Sequence, residues 1–190
     1  VGTATVPGPV WSFTTQDSVV VDDFESYTDA EGNRIYEIWV DGLTDAALGG
    51  SQVGYNEAPF AERVQVHGGK ASMPLAYNNT TAPLSEATRT LAPAQDWTVS
   101  GIKTLVLFFY GDPANTGAGL YVKINGTKIP YTGDAANLQK STWSQWNIDL
   151  SALPAATRRS VRTLTIGMTS GTGKLLIDDI ALYAVPPATP

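Results

Sequence analysis

The sequence predicts an all-β domain built as a two-sheet β-sandwich. Three observations carry that expectation. Helical periodicity is almost absent, short apolar or alternating runs recur along the chain, and clusters of Gly, Pro, Asn and Asp separate them. At 190 residues, 43% of them hydrophobic, the chain is long enough to bury a full core as one domain.

The first run, 19–25, reads Val19-Val20-Val21-Asp22-Asp23-Phe24-Glu25, and the last, 174–183, carries Leu175-Leu176-Ile177-Asp178-Asp179-Ile180-Ala181-Leu182-Tyr183. Between them strands are expected at 35–40, 60–66, 71–77, 86–91, 102–110, 119–124, 145–150 and 161–168. Pro74 places the 71–77 run near an edge or bulge, because proline cannot donate to a ladder. Asn125-Gly126, between Ile124 and Lys128, is a hairpin-turn signal. A short helical turn is expected at 151–157, with Ser151 as its cap. From Asp41 to Phe60 the chain is Gly-rich and turn-like with no clear strand, and a loop of that length is usually functional or disordered.

The ends read differently. Val10-Trp11-Ser12-Phe13-Thr14-Thr15 resembles the final strand of a fibronectin-type III-like domain, so residues 1–16 are expected to be a linker with the remnant of an upstream module. Residues 185–190 form a Pro-rich, semi-rigid linker, which leaves 17–184 as the sandwich. The chain starts on Val1 without Met and has no signal peptide, so it is expected to be a processed piece of a larger multidomain protein.

Composition removes several function classes. A formal net charge of −6, with 12 scattered basic residues, argues against nucleic acid as a partner. No apolar run reaches transmembrane length, so no membrane insertion is expected. Cysteine is absent, which excludes disulfides, thiolate chemistry and Cys-based zinc sites. Small, cheap side chains with few lysines point to a bacterial secreted or cell-surface protein, and the acidic surface favours a soluble monomer within a larger chain. That acidity also favours neutral over acidic glycans.

Carboxylates that interrupt apolar strands at both ends of a domain are costly to bury unpaired. A calcium ion shared by the first and last strands would account for both acidic pairs, since it takes several hard oxygen ligands. Four stretches, taken together, resemble the jelly-roll carbohydrate-binding modules of the galactose-binding-like superfamily. They are Asp22-Asp23-Phe24-Glu25, Val66 to Leu75 with its Gly68-Gly69 turn, Asp96-Trp97 through Phe109, and Ile177-Asp178-Asp179-Ile180. Trp143 to Leu150, followed by Leu153, is similar to a further segment of that group. Tyr55-Asn56-Glu57-Ala58-Pro59-Phe60 and the Asp-Phe-Glu-Ser-Tyr run from Asp23 are more similar still to modules of large secreted proteins of planctomycete-type bacteria. The resemblance implies a structural calcium held by the Glu25 carboxylate, main-chain oxygens of Asp23 and Lys70, and the carboxylate and carbonyl of Asp179. Which member of each acidic pair faces the ion is left open.

A sugar site needs aromatic faces for ring C–H groups and a few polar side chains for hydroxyls. The 34–67 stretch is richest in both. It nominates Tyr36, Trp39 and Tyr55 for stacking, with Gln52, Glu57, Glu62 and Arg63 reading hydroxyls. Trp39 equally suits a core position, and Trp97 and Trp146 are expected in the core. Tyr77 and Asn78 offer a second possible site; Tyr121 and Tyr131 are weaker candidates. His67, the only histidine, precedes Gly68-Gly69 and suits a turn-holding hydrogen bond better than catalysis. No Gly-x-Ser-x-Gly elbow accompanies it.

The leading expectation is a non-catalytic carbohydrate-binding module that anchors a secreted multimodular protein to polysaccharide. A structural or adhesion spacer without a glycan ligand is the alternative. A small glycan-active hydrolase or lyase, using paired acids among Asp41, Glu57 and Glu62, is the third.

Overall fold

A computed structural model describes residues 18–189, so the fibronectin-like remnant expected at the N-terminus lies outside the described residues. The chain folds into two antiparallel sheets packed face to face. Eleven strands carry them: β1 (Ser18–Asp22), β2 (Trp39–Val40), β3 (Ser51–Val53), β4 (Met73–Asn78), β5 (Ser85–Gln95), β6 (Thr104–Tyr110), β7 (Leu120–Ile124), β8 (Thr127–Pro130), β9 (Trp143–Asp149), β10 (Val161–Met168) and β11 (Thr172–Tyr183). Two short helices join them, α1 (Ile35–Ile38) and α2 (Ala155–Arg159). The first sheet runs β3-β4-β11-β6-β9, with β1 also pairing β11; the second runs β2-β5-β10-β7-β8. No helix among the described residues is long and apolar enough to cross a membrane.

Strand alternation builds the core. Leu105, Leu107 and Phe109 of β6, Leu175 and Ile177 of β11, and Met73 and Leu75 of β4 point inward from the first sheet. They meet Leu164, Ile166 and Met168 of β10 and Leu120, Val122 and Ile124 of β7 from the second. Trp97 and Trp146 join this core, as the sequence suggested.

The last strand organises the first sheet. Residues Thr172–Ile177 pair with β4, whereas Ile180–Tyr183 pair with β1, and β6 runs along the opposite edge of both halves. The register breaks between them at Asp178-Asp179, where Asp179 has φ +46°. Aspartate tolerates the left-handed region better than most residues, so the acidic pair suits a bulge that lets the edge change partners.

Several sequence expectations are corrected. The 35–40 run is a helical turn followed by a two-residue strand, because Glu37 caps the Arg34 N–H and the three-residue spacing of Ile35 and Ile38 fits a turn. The 60–66 run is a loop held by one bridge, Glu62 to Ser72, its backbone donors being taken up by the Glu62 side chain. The glycine-rich stretch after Asp41 contains β3, a strand too short for alternation to reveal. The helical turn expected at 151–157 starts four residues later, since Asp149 accepts from Ser151 and the chain must pass Pro154 first. Pro74 lies on an interior strand, yet its main chain faces β3 just beyond the last pairing, Val53 with Leu75, where no ladder donor is needed. The Asn125-Gly126 turn forms as read, with φ +48° and +82°.

A buried ionic hub ties the layers together. Asp22, 4% exposed, accepts from Tyr27 Oη at 2.6 Å, Trp39 Nε1 at 2.7 Å and the Phe24 amide at 3.0 Å, and pairs with Arg89 Nη1 at 2.6 Å. Every donor around it is satisfied by one carboxylate. Removing one partner of such a buried pair is costly because the other is left uncompensated. Asp22→Ala is expected to lower the unfolding free energy by about 3 kcal/mol, measured as a urea midpoint shift at unchanged m-value; a loss below about 1 kcal/mol would contradict the hub.

Candidate functional site

The outward face of the first sheet is set by register. Gln52 of β3, Ala76 of β4 and Lys174 of β11 lie in one cross-strand row, and Pro74, Leu176, Tyr110 and Trp143 form the next. Three of the molecule's clefts lie along the β3, β4 and β11 part of this face and its β3 edge. The first, about 270 Å³, is lined by Tyr36, Asp41, Gln52, Tyr55, Asn56 and Phe60 among others. The second, also about 270 Å³, shares Leu43 and Gln52 with it and reaches Ala76 and Asn78. The third, about 190 Å³, lies beside Lys174 and includes Glu62, Gln65, Tyr110 and Asp112.

Local structure fixes the aromatic side chains. Tyr36 projects from α1 and packs edge-on against Phe60 with ring centroids 5.2 Å apart. Phe60 is anchored by its amide donating to Asp29 and by Arg34 5.4 Å above its ring. Tyr55 leaves the end of β3, its hydroxyl donates to Glu62, and Lys174 Nζ lies 5.5 Å over its ring. Burial, then the bond to Glu62 and its charge, raise the Tyr55 hydroxyl well above its ordinary range, so it remains a donor. Gln52 donates to Asn56 at 2.6 Å, presenting two amides beside the two tyrosines.

The structure brings Tyr36, Tyr55 and Gln52 together as nominated, but not the rest. Trp39 is fully buried, 6.0 Å from Phe24 with its indole N–H on Asp22, so its core alternative is the one realised and it offers no stacking face. Glu57 is exposed and Arg63 donates to the Tyr27 carbonyl; neither lines these clefts. Glu62 lines the third cleft, yet its oxygens accept from Tyr55 and from the amides of Arg63, Val64 and Gln65. It holds its own loop. Asp41 likewise accepts from the amides of Leu43, Thr44 and Val53. Tyr77 is buried with its hydroxyl on the Thr116 carbonyl, although Asn78 reaches the second cleft. Tyr121 is sealed on the other sheet between Gly167 and Lys128, whose ammonium lies 3.8 Å over the ring. Tyr131 packs against Phe109 and Trp146. Asn56, in the same stretch, lines the first cleft, whereas Lys174 and Tyr110 were not singled out as ligand residues. The one available signal was that Lys174 is the only basic residue on any strand of this sheet.

The acidic ends converge where β11 changes partner. Glu25 accepts from the amides of Lys70 and Ala71 at 2.7 and 2.9 Å. Asp178 accepts from the His67 and Gly68 amides, and His67 Nδ1 lies 2.6 Å from Asp179 Oδ2. A Cβ on Gly68 would collide with the Asp179 carboxylate and one on Gly69 with that of Glu25, which is why two glycines stand here. His67 also stacks on Phe108 with ring centroids 3.6 Å apart, while its contact with Asp179 is a hydrogen bond at the turn of the kind its position suggested. Burial pushes the Asp178 carboxyl up to about 6; three amide donors oppose the rise and the Asp179 charge adds to it. Asp23, His67 and Asp179 share a cavity of about 320 Å³ with Pro187, whose carbonyl accepts from Gln145. Asp22 faces the core, so of the first pair only Asp23 turns toward this corner. No three acidic or histidine side chains among the described residues form a ligand cluster, so a cation here would depend on main-chain oxygens as well.

No protein-family model matches the sequence and no curated protein is similar to it. Solved structures share the fold. The chain is similar to the family 11 carbohydrate-binding module from Clostridium thermocellum in complex with a β-1,3-1,4-mixed-linked tetrasaccharide, at 12% identity and a TM-score of 0.51, covering 90% of this chain and 97% of that one. It is similar to the CBM22-1 xylan-binding domain from Paenibacillus barcinonensis Xyn10C, at 15% identity and a TM-score of 0.51, covering 93% and 100%. It is also similar to the K2 cleaved adhesin domain of Lys-gingipain, at 18% identity and a TM-score of 0.52, covering 87% and 99%. The chain spans only 21% of an exo-beta-agarase chain that it also matches. The likeness shows a shared two-sheet β-sandwich fold.

Glu62 gives this site a pH signature. Burial alone would raise its carboxyl, but the Tyr55 hydroxyl and three amides together hold it below the usual range. A carboxyl lowered on folding stabilises above its unfolded pKa and loses that contribution as pH falls through the folded one. Melting temperature is therefore expected to drop more steeply below about pH 4 in the wild type than in Glu62→Gln, and equal slopes would contradict the internal role of Glu62.

Proposed function

We propose that the protein is a non-catalytic carbohydrate-binding module that anchors a secreted, multimodular bacterial protein to a polysaccharide through the outward face of its first sheet. The observation that carries this reading is the first cleft. Two half-exposed tyrosines, Tyr36 and Tyr55, stand there beside the free valences of Gln52 and Asn56. Aromatic faces accept sugar C–H groups while amides take hydroxyls, and the site is preformed because both rings are held by internal contacts. The shared fold with a xylan-binding domain and with a carbohydrate-binding module in complex with a β-1,3-1,4-mixed-linked tetrasaccharide supports the class of ligand. The similarity in motifs to planctomycete-type modules belongs to the same reading.

A catalytic reading has less support. Asp41 and Glu62, the acids nearest the clefts on the loop side, spend their oxygens on backbone amides and on Tyr55, which leaves neither positioned as a general acid or base. The adhesion reading draws on the likeness to a cleaved adhesin domain and predicts no glycan dependence.

Calcium is part of the proposal. Glu25, Asp23 and Asp179 bring negative charge to one corner, where His67 Nδ1 lies 2.6 Å from Asp179 Oδ2. The residues fit a hard cation taking the Glu25 and Asp179 carboxylates with main-chain oxygens of Asp23, Lys70 and Asp179. The ion would tie β1, the loop before β4 and β11 together, a structural duty remote from the first cleft.

Two outcomes test this reading. Tyr55→Ala and Tyr36→Ala, each checked to remain folded, are expected to weaken retention on the cognate polysaccharide by roughly thirtyfold; undiminished retention by the folded variants would favour the adhesion spacer. Saturating calcium should contribute about 2.7 kcal/mol, raising the melting temperature by roughly 5–10 °C over protein in EDTA. Identical melting in calcium and EDTA would remove the ion from the account.

A further inference from the structure

We propose that the groove continues past Tyr55, over Lys174, into a second sugar subsite floored by Tyr110, and that it takes a neutral polysaccharide chain. The inference rests on the reading above that this face binds glycans, and adds where the ligand runs and what class it belongs to.

Register supplies the continuity. Gln52, Ala76 and Lys174 are direct cross-strand neighbours, so the first two clefts meet the third along one row, with the small Ala76 as floor between them. The next row brings Tyr110 beside Leu176. Three strand steps separate β3 from β6, a span of about 14 Å at the usual inter-strand spacing. That is longer than one sugar ring needs.

The chemistry of the third cleft matches a sugar rather than an internal network. Lys174 has no ion-pair partner among the described residues. Asp112 uses one carboxylate oxygen on the Ala114 amide, and its other oxygen has no hydrogen-bond partner among the described residues. Tyr110 is half-exposed, its ring steadied by Trp143 with centroids 5.5 Å apart. An aromatic face, a free donor and a free acceptor around one small cleft are what a pyranose with hydroxyls on its rim requires. Glu62, saturated by its own loop, is the wall between the subsites.

Charge sets the class. Among residues lining the three clefts the carboxylates are Asp41, Glu62 and Asp112, against the single ammonium of Lys174. Uronates and sulfated sugars would meet net like charge, whereas neutral chains meet mixed donors and acceptors.

Calorimetric titration with disaccharides and tetrasaccharides of cellulose, xylan, mixed-linked β-glucan and agarose, and with tetragalacturonate, tests the inference. One neutral tetrasaccharide is expected to bind about tenfold tighter than its disaccharide, and that ratio should collapse toward unity in Tyr110→Ala, Lys174→Met and the milder Asp112→Asn, each checked for wild-type melting. A neutral disaccharide that binds as tightly as its tetrasaccharide, or a ratio unchanged in all three variants, overturns the second subsite while glycan binding stands. Tighter binding of tetragalacturonate overturns the neutral class. Failure of every saccharide to bind the folded wild type removes the glycan reading and this inference with it.

Discussion

Burying a carboxylate in a β-sandwich is tolerable only when hydrogen bonds and an opposite charge replace its water, and Asp22 meets that condition from four sides. It belongs to β1 in the first sheet, while Trp39 and Arg89 belong to the second. Its oxygens therefore set the spacing of the two sheets at one end and hold Phe24 in a left-handed conformation, φ +60°, that a bulky residue otherwise avoids. Phe24 leads directly to Glu25, so the same hub delivers that carboxylate to the Lys70 and Ala71 amides. Tyr27, the hub's hydroxyl donor, lends its carbonyl to Arg63 in the loop that carries Glu62, and Glu62 in turn orients Tyr55. A chain of short contacts thus runs from the core to the proposed glycan face.

Much of the fold was legible because long strands alternate. The runs around β6, β10 and β11 were read nearly to their ends, and the Asn125-Gly126 hairpin needed only turn chemistry. What alternation could not reveal was β3, three residues long, or the helical turn before Trp39, where apolar spacing in six residues fits either period. Tyr36, Tyr55 and Gln52 line one cleft, as the clustering of aromatics and amides in a glycine-rich stretch suggested. Glu57, Glu62 and Arg63 belonged to the same stretch by composition, yet their roles depend on which way a loop turns. Glu62 closes a turn of three amides, a local arrangement that competes with any ligand for its oxygens. Lys174 and Tyr110 come from strands distant in sequence, and only the register of β11 with β4 and β6 sets them beside Tyr55.

The two acidic pairs illustrate how similar sequences acquire different duties. Asp22 and Asp23 are neighbours, but one faces an arginine in the core and the other a cavity at the surface. Asp178 and Asp179 occupy a bulge, where one accepts amides from the Gly68 turn and the other meets His67. A metal is needed to explain neither Asp22 nor the strand break; the corner of Glu25, Asp23 and Asp179 is where the proposed cation would sit. That corner and the tyrosine clefts lie apart and share no lining residue, so the proposed cation and the proposed glycan would occupy separate places.

Glycan recognition by the outward face of the first sheet is the claim on which the rest of the functional account depends. It is tested most directly by following backbone amide resonances of the isotopically labelled protein during titration with soluble neutral oligosaccharides. The account predicts saturable shifts at Gln52, Tyr55, Asn56 and their neighbours on β4 and β11, with Tyr121 and Glu86 on the opposite sheet unmoved. Saturable shifts confined to that opposite sheet, or none with any oligosaccharide, would contradict it.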